Sequence, residues 1–67
     1  MELMTKRERA CYEAVKALIE ENGYSPRCTE IGASIGVSGT QAYRLLQRLI
    51  AKGWIVSKTR AHYQPIG

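Results

Sequence analysis

Thr40, Gln41, Tyr43, Arg44 and Arg48 crowd into nine consecutive residues, and all five can donate hydrogen bonds. Lys52, Lys58 and Arg60 continue the series, and residues 31–67 contain no carboxylate. Such a set is suited to recognition rather than to making or breaking bonds. The planar fork of arginine matches a phosphate or the edge of guanine, glutamine can bridge the edge of adenine, and hydroxyls serve either. Residues 1–30 differ sharply, with five cations set against six glutamates. A half-chain of cations cleared of acids suits a polyanionic partner, because carboxylates would repel phosphates.

Other chemistries are poorly served. The chain has one histidine and no aspartate, so general acid–base or nucleophilic catalysis lacks a set of partners, and no enzyme is expected. Cys11 and Cys28 have neither C-x-x-C spacing nor a histidine cluster, so neither a metal nor another cofactor is expected. Two reduced thiols in a cytoplasmic protein fit better than a disulfide. No apolar run approaches the ~18 residues of a membrane span, and the start lacks the apolar core of a secretion signal. A length of 67 residues allows one domain, 1–67, with no room beside it for a catalytic one.

The local patterns say what must position the donors. Thr5-Lys6-Arg7-Glu8 has the T-x-x-E form of a capping box, with Met4 before it as a hydrophobic staple. Cys11, Tyr12, Val15, Leu18, Ile19 and Asn22 then recur at helical spacing, which predicts a helix over 6–22 stopped by Gly23. Tyr24-Ser25-Pro26 is a connector, and Cys28, Ile31 and Ile35 predict a short helix over 28–35. Gly36-Val37-Ser38 is a tight turn: the glycine permits the corner, Val37 plugs it and Ser38 caps the next helix. Ala42, Leu45, Leu46, Leu49 and Ile50 predict that helix over 39–52, closed by Gly53. Beyond it, aromatic and β-branched residues predict strands at 54–58 and 61–64, a wing over 54–64 turning at Thr59-Arg60, with Pro65 at its edge.

Helix, short helix, turn, helix, hairpin is the order of a winged helix-turn-helix, mainly α with a small β-hairpin. In that arrangement the N-terminal half of the third helix can enter the major groove of double-stranded DNA. Thr40, Gln41, Tyr43 and Arg44 are therefore expected to read bases, and Ser38, Arg48, Lys52, Lys58 and Arg60 to hold phosphates. Gln41 has a competing use, since Ser38-Gly39-Thr40-Gln41 is itself a capping-box pattern. His62 is expected as a strand residue or phosphate neighbour, and Trp54 as a core residue.

Asn22-Gly23-Tyr24-Ser25-Pro26 followed by Thr29-Glu30-Ile31-Gly32 resembles the G-Y-x-P-x-x-x-E-I-G signature of LexA-type repressors. Leu46, Leu49 and Lys52-Gly53-Trp54-Ile55 resemble the L-x-x-L-x-x-K-G-x-I run of the same N-terminal domain, and the likeness covers about residues 4–62. It implies a winged DNA-binding domain and a sequence-specific repressor of bacterial or phage origin. Arg27 departs from the Ser or Thr that the family uses to cap the second helix. A cap worth ~1 kcal/mol is lost, yet a cation gains a place where such domains approach the DNA backbone, so Arg27 joins the expected phosphate contacts. Residues 36–43 do not match the family's reading helix, so its operator is not implied. The family's self-cleaving protease domain, which also provides dimerisation, has no counterpart in this sequence. Autoproteolysis is therefore not implied, and a homodimer on DNA or a protein partner is expected to supply affinity. Two other readings stand beside this one. Trp54 and Tyr63 near one end suit a protein-interaction module acting on a host protein or another repressor, and an architectural role would show as DNA bending.

Overall fold

Thr5 starts the first helix, α1 (Lys6–Asn22). Its Oγ1 accepts from Glu8 N–H at 3.2 Å, while Glu8 Oε1 accepts from Thr5 N–H at 3.0 Å. Gly23 ends the helix in the left-handed region, at φ 77°. The second helix, α2 (Cys28–Ile35), begins at Arg27 without a side-chain cap and ends at Gly36, φ 76°. The third, α3 (Gly39–Ala51), is capped by Ser38, whose Oγ accepts from Gln41 N–H at 3.2 Å. It stops one residue before the expected end, with Lys52 as its C-cap. Trp54 N–H then bonds Leu49 C=O at 2.9 Å and Gly53 N–H bonds Ile50 C=O at 3.1 Å, the paired closure of a Schellman motif. The computed structural model describes residues 3–59 and 62–65, by backbone alone at positions 58, 59 and 62.

The hairpin joins β1 (Ile55–Thr59) to an antiparallel β2 (His62–Pro65). Ser57 pairs with Tyr63 and Thr59 with His62, so the register shifts across Lys58 as a bulge. Thr59 thus belongs to the ladder rather than to the turn where the sequence places it, and Arg60 lies outside the described residues. Trp54 precedes the ladder instead of opening it, and Pro65 pairs opposite Ile55 at the strand's end, where a missing N–H is tolerated.

The core lies where the stripes of the three helices meet the hairpin. Cys11, Tyr12, Ala14 and Val15 of α1 pack with Ile31 of α2, Ala42, Leu45, Leu46 and Leu49 of α3, and Ile55 and Tyr63 of the strands. Trp54 is half-buried and meets the Tyr12 ring edge-on, 5.9 Å between centroids. Both cysteines are free thiols. Burial pushes the Cys11 thiol up to about 11. Ser25, in the α1–α2 connector, ties down the hairpin: its Oγ accepts from Tyr63 N–H at 2.7 Å and donates to Tyr63 C=O at 3.2 Å.

The corner between α2 and α3 depends on Gly32. Gly36 N–H and Val37 N–H both converge on Gly32 C=O, which folds the turn back onto α2. A Cβ at Gly32 would stand 2.6 Å from Val37 O and 2.9 Å from Ser38 O, closer than real contacts allow. Gly32→Ala would gain up to ~1 kcal/mol in helix propensity, but it must push two turn carbonyls away. The expected net effect is a loss of about 1–3 kcal/mol, read as a melting temperature lower by several degrees. An unchanged or raised melting temperature would show that the turn can yield.

Candidate nucleic-acid interface

At roughly 100° per residue, the core side chains of α3 define its inner side, and the ridge opposite them is formed by Thr40, Arg44 and Gln47. All three are exposed. Gln41 and Arg48 lie on the flank towards α1, and Tyr43, half exposed, on the flank towards the hairpin. A cleft of about 140 Å³ runs along the first flank, lined by Arg7, Gln41, Arg44, Leu45 and Arg48. A groove of about 480 Å³ runs along the second, lined by Tyr43, Gln47, Ser57 and Tyr63. The four residues expected at base edges thus share one exposed surface. Gln47 joins them at its centre, as its place on the outer ridge already required.

The competition at Gln41 resolves in favour of its amide. Only half of the second capping box forms, with Ser38 Oγ accepting from Gln41 N–H and no return bond from the Gln41 side chain. Ser38 is exposed and keeps its hydroxyl hydrogen to offer to an anion at the positive end of α3. A Cβ on Gly39 would meet Thr29 Cγ2 at 3.3 Å, so the starts of α2 and α3 abut. Arg27, exposed at the N-cap of α2, therefore belongs to the same margin as Ser38. The Lys58 side chain and Arg60 lie outside the described residues.

Lys52 has a different place from the one expected. Its Nζ sits 2.6 Å from Glu8 Oε1 and 3.1 Å from Leu3 C=O. Glu8 is only 1% exposed, and the same oxygen also holds the α1 cap. Lys52 thus fastens the end of α3 to the start of α1, and its charge is matched by a carboxylate rather than available to a phosphate. The sequence marks Glu8 as a cap but gives no sign of this second bond, which depends on how two helices cross. Arg7 is the reverse case. It belongs to the acid-rich first half of the chain, yet folding carries it to the cationic flank of α3.

These elements in this order define a winged helix-turn-helix. The chain belongs to the LexA DNA binding domain family, which it matches over residues 1–61. It is 38% identical over 53 residues to the LexA repressor of Staphylococcus carnosus, covering 78% of this chain and 26% of that protein. It is likewise 38% identical over 56 residues to the LexA repressor of Bacillus mycoides, covering 82% of this chain and 28% of that protein. The chain therefore spans about a quarter of the length of the curated relatives it matches. Among the described residues, no helix is long and apolar enough to cross a membrane, and no cluster of side chains could hold a metal ion.

Glu8 makes the lock sensitive to acid. The Lys52 hydrogen bond, then the Thr5 N–H, hold its carboxyl below the ordinary value of 4.5 against the opposing effect of burial. A depressed carboxyl stabilises the fold above its unfolded pKa, and that contribution disappears as pH falls through the folded value. The urea midpoint should therefore drop as pH falls below about 4.5. Lys52→Met should lower stability at pH 7 by on the order of 3 kcal/mol, because it strands a buried carboxylate, and should flatten the acid limb. Equal stability of variant and parent at pH 7 would show that the lock contributes nothing.

Proposed function

We propose that this chain is a sequence-specific double-stranded DNA-binding transcriptional regulator, a repressor of bacterial or phage origin, working in the cytoplasm without catalysis. The observation that carries the reading is the outer face of α3: exposed, rich in donors and without a carboxylate, on a scaffold that holds it clear of the body. Exposed helices commonly mix charges to gain i,i+4 pairs, and this one forgoes them. The naming of its relatives as repressors supports the same reading.

In this proposal α3 lies in the major groove. Arg44 takes a guanine edge in bidentate fashion, Gln41 an adenine edge, and Thr40 and Tyr43 the remaining hydrogen-bonding and methyl groups. Arg27, Ser38 and Arg48 hold phosphates at the margins, joined by Lys58 and Arg60 from the wing. Repression follows from occupancy, since a bound operator is closed to other proteins. One such domain touches few base pairs, so a second copy on a neighbouring half-site or a partner protein raises affinity. The competing interaction-module reading needs Trp54 and Tyr63 at the surface. Tyr63 is 6% exposed and the half-buried Trp54 packs edge-on against Tyr12, which lends that reading little support.

Selection from a random duplex pool should return a motif. Arg44→Ala should flatten one position of that motif, losing ~1–3 kcal/mol of discrimination there while the fold is kept. Recovery of no motif, or an Arg44→Ala preference identical to the parent's, would overturn the base-reading assignment.

A further inference from the structure

Arg7 of α1 faces Arg44 and Arg48 of α3 across one cleft. None of the three makes an ion pair among the described residues. The acid that follows Arg7 in sequence, Glu8, is turned inward onto Lys52, so among the described residues no carboxylate lines the cleft. Like charges brought together in this way repel one another until an anion enters. The first turn of α1, which carries Arg7, adds the positive end of its dipole to the same spot.

We propose that this cleft is a phosphate seat, in which Arg7 and Arg48 grip one backbone phosphate of the DNA from both sides. The inference rests on the DNA-binding reading and adds to it a contact from α1. Arg44 borders the seat from the outer ridge of α3. A phosphate gripped there fixes the register of the domain on the duplex, whatever the sequence of that duplex. Arg7 is thereby a positioning residue that carries no sequence information of its own.

The test is the salt dependence of binding to a selected duplex and to an unrelated one, for the full chain and its variants. Each phosphate contact contributes about 0.9 to the slope of log affinity against log salt. Arg7→Ala should lower the slope by up to that amount, since Arg48 keeps part of the hold on the shared phosphate, and weaken both duplexes by the same factor. Arg9→Ala is the control, since it removes the same charge from an exposed site on α1 outside the cleft. It should leave the slope nearly unchanged, and Arg7→Lys should restore most of it. The Arg7→Ala/Arg48→Ala pair should lose less than the product of the two single losses, as residues sharing one anion do. Equal slopes for the Arg7→Ala and Arg9→Ala variants would reduce the effect to net charge and overturn the seat. So would an Arg7→Ala loss confined to the selected duplex. A parent chain without salt-dependent binding would instead overturn the DNA-binding reading itself.

Discussion

The carbonyls of Val37 and Ser38 lie against the bare Cα of Gly32, and the way α3 presents its exposed face follows from that approach. Where the turn can settle onto α2, α3 leaves the corner at an angle that drops Ala42, Leu45, Leu46 and Leu49 into the core. The opposite ridge is then presented outward without any further device. Gly36 contributes the left-handed residue, and Ser38 satisfies a donor at the start of α3. Both depend on a turn that a methyl group would displace. The corner is thus set by a missing side chain more than by any attractive contact.

Charge is arranged with the same economy. The buried Glu8 pairs with the Lys52 ammonium and accepts from the Thr5 N–H, which secures the crossing of α1 and α3. Among the described residues, Arg44 and Arg48 of α3 stay on the surface without an ion-pair partner, and helix-stabilising pairs are forgone on that face. A fold of this size has little stability to give away. Local choices that weaken a fold yet persist together on one face are what a binding surface looks like in physical terms.

Much of this was legible before folding, and the limits have clear causes. Caps, glycine stops and 3.6-residue stripes act within a few residues of one another, so the three helices could be placed from spacing. The hairpin was legible as β-forming residues but not as a register, because pairing of Thr59 with His62 depends on a bulge that no turn residue announces. Among the site residues, Thr40, Tyr43 and Arg44 follow from periodicity alone. The places of Lys52 and Arg7 could not be read for one reason: both depend on which side of α3 meets α1, a contact between residues more than thirty positions apart. Charge counted along the chain cannot see it. Ser25 was hidden likewise, a hydroxyl in a connector whose partner is thirty-eight residues away.

That hydroxyl has a consequence for how the domain can be altered. Two strands seldom hold together in water unaided, and here the second is anchored through the main chain of Tyr63 to the segment joining α1 and α2. The connector therefore behaves as a seam rather than a spare loop, although its tip at Tyr24 is 58% exposed and would ordinarily tempt an insertion or a new pair of chain ends. Opening the chain there would release the hairpin while leaving α2 and α3 able to pack. Grafts and permutations of this scaffold are better made elsewhere, because the second strand of the hairpin takes its anchor from a connector thirty-eight residues away in the chain.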